Sequence, residues 1–400
     1  MSERSHVVPT PEGEYFETGR FAGLSTLLAV LAVIGLGLSV VGAIFSPRQL
    51  SFSWLFGFAF FFTVWAGCLF WIIVHYATDA EWSVVVRRQL ENIVALFPLL
   101  ALAFLPIFLL RHHLFGWMNI PPGHEAALDA KRGYLNLTFF LVRAAVFFAF
   151  FIISAFLLRN YSVRQDKDGN PGFTIALRKI AFISLPLFGL ALTFGAFDWL
   201  MSLDYRWYST MWGPYIFAGA AGSSMSLLVL VITALRKAGY LQETVTLEHY
   251  HIMGKWMLAF SVFWAYIGFS QYMLYWYANI PEETEYFILR NTESWWLLST
   301  FLVIGRFFVP FAILLLRSIK KKPHQLCYMA GWIVFMQLLD MYIIVLPVLH
   351  RTGVRLSPWD FVPLVGIGAT LGFFYLRIVG KASLFPTRDP RLIESLRLTN

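Results

Sequence analysis

Long apolar runs alternate with short polar segments along almost the whole chain. Each run holds about 20 residues or more, which is the length that an α-helix needs to cross a hydrocarbon core of about 30 Å. Inside such a core, only helices and closed barrels satisfy all of their backbone hydrogen bonds. The pattern therefore predicts an all-α integral membrane protein with about ten transmembrane helices. The predicted helices are 21–46, 51–77, 91–115, 134–158, 175–201, 212–236, 249–279, 294–316, 325–348 and 359–380.

The composition argues against a large soluble domain. Of the 400 residues, 58% are hydrophobic and only 14% are charged, whereas a soluble domain has about a quarter of its residues charged. The 40 Phe and 15 Trp residues suit a surface that faces lipid and anchors helix ends at the membrane interface. We therefore divide the chain into an N-terminal tail at 1–20, a ten-helix transmembrane domain at 21–380 and a C-terminal tail at 381–400.

The basic residues are distributed unevenly between the two sides of the predicted helices. Of the 31 Lys and Arg residues, 21 fall on the side of both termini, 8 on the opposite side and 2, Arg143 and Arg306, within helices. Because Lys and Arg collect in the cytoplasmic loops of membrane proteins, both tails are predicted to be cytoplasmic. This topology accounts for the net charge of +8 without a nucleic-acid partner.

The chain offers few groups that bind metals or cofactors. Cys68 and Cys327 are its two cysteines, and both lie in apolar runs without a Cys-x-x-Cys pattern. The sequence thus supplies neither thiolate ligands for an iron–sulfur cluster nor a covalent haem attachment. Haem b needs two inward-facing histidines on different helices, and His75 with His249 or His251 stays open as that pair. We predict no metal site and expect no cofactor to be bound by this chain.

Four ionisable residues lie inside predicted helices, where a charge is expensive and indicates a functional site by default. Arg143 lies in helix four, Asp198 near the outer end of helix five, Arg306 near the middle of helix eight and Asp340 in helix nine. An isolated buried charge is strongly unfavourable, so we expect Asp340 to pair with Arg306 or Arg143. Two interpretations remain open: a structural ion pair that locks the helices together, or a path for protons or quinone.

Polar residues on two other helices extend this set. His75 and Asp79 are four residues apart at the predicted cytoplasmic end of helix two, a spacing that puts them on one face of a helix. A histidine beside a carboxylate takes up and releases protons near neutral pH, although a lone histidine at a membrane interface is more often an anchor. Helix seven adds polar residues near mid-membrane and two histidines at its cytoplasmic end. The candidate proton-path residues are Asp340, Arg306, Arg143, Tyr266, Gln271, His75, Asp79, His249 and His251.

One dense polar and aromatic segment, 197–215, lies on the outer side, where helix five ends and helix six begins. Carboxylates, hydroxyls and aromatic faces at a helix end form an amphipathic pocket that suits a quinone headgroup. An aromatic belt alone would explain the Trp and Tyr residues but not the carboxylates and hydroxyls. The candidate pocket residues are Asp198, Asp204, Trp207, Ser209 and Thr210.

Three segments carry a resemblance to a known family. FDWLMSLDYRWYSTMWGPY (197–215) resembles the signature of the NrfD-type, or polysulfide-reductase-type, membrane subunits, in which an Asp at the end of helix five precedes a Trp-x-Ser-Thr step. HYATDAEWSVVVRRQLENI (75–93) and HYHIMGKWMLAFSVFWAYIGFSQYMLYWYANIPEET (249–284) are similar to the ActF family of membrane subunits. These subunits belong to alternative complex III, a bacterial quinol-oxidising respiratory complex. The resemblance extends over nearly the whole chain, including its length and helix count.

The resemblance implies a fold, a location and a set of partners. The fold is two four-helix bundles, helices 2–5 and 6–9, with helices 1 and 10 peripheral, in the bacterial cytoplasmic membrane. The expected partners are a homologous NrfD-type membrane subunit, an iron–sulfur subunit, c-type haem subunits and lipids, with a terminal oxidase as a further candidate. Haem c and the iron–sulfur clusters belong to these partners, and the quinol site nearest the clusters belongs to the homologous sister subunit. Asp198, Trp207, Ser209 and Thr210 match the shared signature.

These observations lead to one hypothesis and three rivals. The hypothesis is a non-redox subunit of a respiratory quinol:electron-acceptor oxidoreductase. This subunit scaffolds the complex and contributes a proton-translocation path, with no catalysis expected from the chain alone. The rivals are a quinol-binding subunit that acts at the Asp198–Thr210 pocket, a stand-alone secondary transporter and a purely structural anchor.

Overall fold

The computed structural model describes residues 12–399. Within this part of the chain every regular element is helical and no strand occurs, which confirms the all-α prediction. Residues 1–11 of the predicted N-terminal tail and Asn400 of the predicted C-terminal tail lie outside the described residues.

Ten helical segments in the described residues are long and apolar enough to cross a membrane, in agreement with the sequence. We label them α1 to α10 in chain order. They are Thr18–Phe45, Pro47–Ala77, Glu81–Leu109, Leu137–Asp168, Gly172–Asp204, Trp212–Lys237, Leu247–Ala278, Trp295–Leu314, Pro323–Val348 and Pro358–Val379. A shorter helix, Pro281–Arg290, lies between α7 and α8, and another, Leu392–Leu396, lies in the C-terminal tail.

Helix α3 begins ten residues before its predicted start at residue 91, and this difference has an electrostatic cause. Its first turns carry Arg87, Arg88 and Glu91, and a run with three charges is not typical of a membrane segment. All three side chains are nevertheless fully buried, because they form ion pairs with one another and with acidic residues of other segments. Paired charges can lie inside the protein where single charges cannot.

Helices α2 and α6 form the centre of the molecule, and they also contact each other. Helix α2 packs against α5, α6 and α10, while α6 packs against α2, α5, α7 and α9. Helix α1 packs chiefly against α10 at the edge of the molecule. The partition into two four-helix bundles, helices 2–5 and 6–9, stays a prediction.

A glycine makes the close approach of α2 and α6 possible. A Cβ atom placed on Gly67 would overlap the carbonyl oxygen of Ala220, far inside van der Waals contact. Small residues at such positions are what allows membrane helices to pack closely, since lipid provides no hydrophobic force between them.

This contact leads to a first prediction. We expect Gly67→Ala to destabilise the protein by about 1–3 kcal/mol, the usual effect of overpacking. Gly37→Ala is the matched control, because a Cβ on Gly37 in α1 meets nothing within 4 Å. Thermal unfolding of the detergent-solubilised variants would measure both effects, and equal midpoints for the two variants would contradict the described packing.

The two chain ends meet on one side of the molecule. The backbone N–H of Leu384 donates to the carbonyl oxygen of Glu14 at 2.7 Å, and the Glu14 carboxylate accepts from the Leu241 N–H at 2.8 Å. The N-terminal segment therefore packs against both the C-terminal tail and the turn after α6. We call this side of the protein the termini side and the other the opposite side.

Candidate functional site

A buried carboxylate in α9 is the centre of a polar cluster within the membrane-spanning region. Asp340 is 2% exposed and pairs with Arg306 of α8, whose Nη1 lies 3.0 Å from Oδ2. The Tyr215 hydroxyl donates to Oδ1 at 2.6 Å, and the Trp264 indole N–H donates to Oδ2 at 3.1 Å. Side chains of α6, α7 and α8 thus converge on one carboxylate of α9. Of the two arginines that the sequence offered as partners for Asp340, the structure has Arg306.

Arg306 has further partners besides the carboxylate. Its Nη1 also donates to the Met336 carbonyl at 3.1 Å, and its Nη2 donates to Oε1 of Gln337. The guanidinium carbon lies 4.6 Å from the centre of the Trp264 ring, within the distance of a cation–π interaction. Gln337 in turn donates to the Thr63 hydroxyl of α2 at 3.1 Å. A hydrogen-bonded chain therefore runs from Asp340 to the central helix α2.

A local change of helix type positions Arg306. Pro310 lacks an N–H, and in a regular α-helix its ring would clash with the carbonyl four residues earlier, that of Arg306. The chain instead forms a π-helix at Ile304–Phe308. The Gly305 carbonyl accepts a hydrogen bond from the Trp332 indole at 2.6 Å. Such π-turns within α-helices occur frequently at functional sites.

A second glycine leaves room for the cluster. A Cβ atom on Gly219 of α6 would lie 2.7 Å from Oε1 of Gln337 and 2.8 Å from Nη2 of Arg306. Any larger residue at this position would displace both side chains. The small residue at position 219 of α6 thus leaves space for the side chains of both Arg306 and Gln337.

A cavity of about 720 Å³ lies beside Asp340. Its wall includes Asp340, Tyr215, Gln271 and Tyr266. Gln271 is buried, whereas Tyr266 is 63% exposed. Of the two helix-seven residues predicted for the proton path, Gln271 therefore faces the interior and Tyr266 lies on the outer surface of the protein.

Arg143 and Asp198 form a second, separate ion pair between α4 and α5. The guanidinium binds the carboxylate through two hydrogen bonds of 2.7 and 2.9 Å. It also donates to the Tyr134 carbonyl at 3.0 Å and lies 3.8 Å from the Tyr134 ring centre and 4.2 Å from that of Phe139. Asp198 is fully buried. Arg143 is thus joined to Asp198 and not to Asp340.

The five candidate quinone-pocket residues do not line one common pocket. Asp198 is closed off by its pairing with Arg143, and the Trp207 ring is stacked on Tyr286 with a centroid distance of 3.9 Å. Asp204 lines a different cavity, one of about 480 Å³ on the opposite side. Ser209 is buried and Thr210 is exposed.

His75 and Asp79 have different surroundings on the termini side, although their spacing predicts a shared helix face. Helix α2 ends at Ala77, and Asp79 adopts a left-handed conformation with φ of 49°. Its carboxylate pairs with Arg391 at 2.6 Å and with Arg178. His75 is almost fully buried, and both of its ring nitrogens lack a hydrogen-bond partner among the described residues.

The two histidines at the start of α7 have different surroundings. His249 accepts from the Thr246 backbone N–H at 3.0 Å through Nδ1, which completes a capping box. Its Nε2 lies 3.5 Å from the Ser395 hydroxyl of the C-terminal tail. His251 lies 3.6 Å from the Glu248 carboxylate. His249 therefore has a structural role at the helix start, and it also contacts the C-terminal tail.

A buried ion network on the termini side was not predicted from the sequence. Nε of Arg88 lies 2.9 Å from Glu91, and its Nη2 lies 2.8 Å from Asp166 of α4. Arg87 lies 3.7 Å from Glu91 and binds Asp389 of the C-terminal tail. The signal available in the sequence was the Arg-Arg-x-x-Glu motif at 87–91. It places the two arginines four and three residues before the glutamate, which is close enough on a helix for ion pairs. We call this group the tail clamp.

The tail clamp depends on the charge of Asp389. Burial raises the pKa of this carboxyl, but the charges and hydrogen bonds of Arg87 and Arg391 outweigh burial and hold it at about 2. The pKa of an unfolded Asp is about 3.9. The contribution of Asp389 to stability is therefore present above about pH 4, and it is lost as the pH falls from there toward 2.

A second prediction follows for the C-terminal tail. Asp389→Asn removes this charge at neutral pH, so we expect it to weaken docking of the tail by roughly 2 kcal/mol and to speed tryptic cleavage after Arg388 and Arg391. Glu394→Gln is the control, because Glu394 lies on the exposed surface of the same tail. Limited trypsin digestion of the membranes would compare the variants. Equal cleavage rates for wild type and Asp389→Asn would contradict the clamp.

The described residues include no group of three or more His, Cys, Asp and Glu side chains that could hold a metal ion. No family model matches the sequence, and comparison with curated proteins gives no match. A functional proposal therefore rests on the geometry of the buried polar clusters and on the sequence resemblance.

Proposed function

We propose that this chain is a non-redox membrane subunit of a respiratory quinol:electron-acceptor oxidoreductase of the alternative complex III type. In this proposal it lies in the bacterial cytoplasmic membrane with its termini side in the cytoplasm. It scaffolds the complex and conducts protons, while partner subunits hold haem c and the iron–sulfur clusters. The observation that carries the proton path is Asp340, a carboxylate within the membrane that is hydrogen-bonded to three side chains and faces a cavity.

Asp340 can take up a proton while its partner Arg306 keeps other interactions. If the carboxyl takes up a proton, Arg306 loses its ionic partner but keeps the Met336 carbonyl, Oε1 of Gln337 and the face of Trp264. These contacts lower the penalty of leaving a buried cation unpaired, which would otherwise forbid the step. Tyr215 stays hydrogen-bonded to either form of the carboxyl, because a hydroxyl both donates and accepts.

Helix α6 carries buried hydroxyls between the level of Arg306 and the termini side. They belong to Ser223, Ser224, Ser226 and Thr233, and the Thr233 hydroxyl lies 3.1 Å from that of Tyr250. From Gly219, beside Arg306, to Thr233 the helix rises about 21 Å at 1.5 Å per residue. Each of these hydroxyls also donates to a backbone carbonyl of its own helix. Proton transfer along these hydroxyls therefore requires water between the side chains.

His75 is the candidate for proton uptake on the termini side. Its two unpartnered ring nitrogens distinguish it from His249, whose Nδ1 caps a helix. Asp79 binds Arg391 and Arg178, so we assign it a structural role beside the tail clamp. Toward the opposite side, the cavity beside Asp340 reaches Arg290 and Asn291, between α7 and α8, and we assign the second access to it.

The two ion pairs, Arg306–Asp340 and Arg143–Asp198, are also compatible with a purely structural role. One observation distinguishes the first pair from the second. Both intramembrane pairs are direct, as a structural anchor requires. Arg143–Asp198 is closed by two hydrogen bonds and by aromatic rings, so we assign it a structural role. Asp340, in contrast, lines a cavity. We therefore assign the proton path to Asp340 and not to Asp198.

The composition of the purified protein tests the assignment to a complex. We expect an affinity tag on this chain to bring down c-type haem and iron–sulfur subunits, and a second ten-helix subunit, from detergent-solubilised membranes. Haem absorbance and electron paramagnetic resonance of the clusters would identify them. A chain that purifies alone at full yield, and that transports a solute in vesicles, would contradict the proposal and favour a secondary transporter.

A further inference from the structure

The cavity beside Asp340 has a polar end and an apolar body. Most of its wall is aliphatic and aromatic, and Phe269 and Phe308, which line it, are also exposed on the outer surface of the protein. The cavity therefore opens toward lipid. Its volume of about 720 Å³ falls within the range of about 300–1,000 Å³ that is typical of small-molecule sites.

Gln271 contributes a polar group with no partner. The side chain is 4% exposed, and its Oε1 atom accepts no hydrogen bond within residues 12–399. Burying an amide oxygen without a hydrogen bond is unfavourable. Native proteins rarely leave such a group unsatisfied unless a ligand or water completes it.

Arg290 contributes a buried cation at the same cavity. It is 7% exposed and donates to the carbonyls of Tyr286, Ile343 and Ile344 at 2.9, 3.0 and 2.7 Å. A guanidinium has five N–H donors, so these bonds leave two donors over. Among the described residues, no carboxylate forms an ion pair with it. A charge buried in this way is expensive unless a further partner compensates it.

These groups lie at one end of the cavity. Arg290 bonds to α9 three and four residues beyond Asp340, which is about one helical turn, or about 5 Å, along the axis. Toward the middle of the membrane the wall consists of residues such as Val262, Ile304 and Phe307. The arrangement suits a molecule with a polar head and an apolar tail.

We propose that the cavity binds a lipid-soluble molecule whose polar head accepts hydrogen bonds from Arg290 and donates one to Oε1 of Gln271. Its apolar tail lies between α7 and α8 and leaves toward the lipid. Isoprenoid quinols and the ethanolamine heads of membrane phospholipids share this chemistry. The site differs from the Asp198–Thr210 segment, and it stands independently of proton transfer through Asp340.

Photolabelling of the intact purified complex tests the site. One probe is a photoreactive quinone with a decyl tail, reduced to its quinol, and the other is a photoreactive phosphatidylethanolamine. Labelled peptides are mapped by mass spectrometry. We expect one of the two to label the segment 262–308. Val303→Trp adds bulk at the cavity wall and should abolish labelling. Gln271→Leu should reduce it roughly fivefold, the effect of losing one hydrogen bond.

Leu297→Trp is the matched control, because Leu297 is exposed on the same helix and does not line the cavity. This variant should keep full labelling, whereas annular lipid would respond alike to all three substitutions. The probe that labels identifies the source, quinol or phospholipid. Labelling by neither probe, or labelling that Val303→Trp and Gln271→Leu leave unchanged, overturns the proposal. Failure of the labelling test does not change the co-purification with redox partners that we expect for the complex. The two proposals are therefore tested separately.

Discussion

In the assembled complex, we expect Asp340→Asn to abolish proton translocation while quinol oxidation continues. Asparagine keeps the shape of the side chain, and its amide oxygen accepts from the Trp264 indole while its NH2 group donates to the Tyr215 hydroxyl. It cannot take up or release a proton. The number of protons moved per electron should fall to the value that quinol chemistry alone releases. The measurement is the acidification produced by complex-containing proteoliposomes during quinol oxidation.

Asp198→Asn is the matched control for this prediction. It neutralises another buried carboxylate that pairs with an arginine, and Asp198 is closed off by Arg143 and lies outside the cavity. We expect this variant to keep its proton-to-electron ratio in whatever fraction of the complex assembles. Loss of translocation in both variants, or in neither, would show that Asp340 has no special part in the proton path.

The second large effect concerns the stability of the Arg143–Asp198 pair. We expect Asp198→Leu to destabilise the protein by about 3–5 kcal/mol, because it leaves the buried guanidinium of Arg143 without its counter-charge. The double variant Arg143→Met with Asp198→Leu removes both charges, and it should recover most of the loss, since apolar pairs of similar volume replace buried ion pairs well. Unfolding midpoints of the solubilised wild type, single variant and double variant would measure these differences in stability.

This double-variant design separates a structural pair from a functional one. If the double variant is no more stable than Asp198→Leu, the loss arises from contacts other than the ion pair, such as those of Arg143 with Tyr134. If it recovers stability and also keeps proton translocation, the pair is structural. The latter is the result that the geometry predicts.

The helical framework was accessible from the sequence because lipid imposes a simple rule. A segment that crosses the membrane must be apolar for about 20 residues, and the described residues hold ten such segments. The rule fails where charges are buried in pairs. Arg87 and Arg88 made the first turns of α3 too polar to be recognised as part of a membrane segment. Their partners Asp389 and Asp166 could not be identified from the sequence, because they are 302 and 78 residues away.

The members of the candidate site were partly visible in the sequence, but their pairing was not. A charged residue within an apolar run is conspicuous, so the four intramembrane Arg and Asp residues stood out. Which arginine meets which aspartate depends on helix packing, and no local pattern encodes it. The same applies to Tyr215, Trp264 and Arg290, which resemble interface residues in sequence yet contact Asp340 or line its cavity.

The local signal at His75 and Asp79 failed for a conformational reason. A four-residue spacing places two side chains on one face only while the helix continues. Here α2 ends at Ala77, and the left-handed backbone at Asp79 turns the carboxylate away toward Arg391. The tail that supplies Arg391 is far away in sequence, so its effect on Asp79 could not be inferred from the helix itself.

Infrared difference spectroscopy of the complex during turnover tests the central claim most directly, that the Asp340 carboxyl changes its protonation state. The C=O stretch of a protonated carboxyl absorbs apart from the carboxylate bands. We predict that a carboxyl band forms and decays with quinol oxidation in wild type and in Asp198→Asn, and that it is absent in Asp340→Asn. An unchanged band in Asp340→Asn, or no carboxyl band in wild type, would contradict a proton path through this residue.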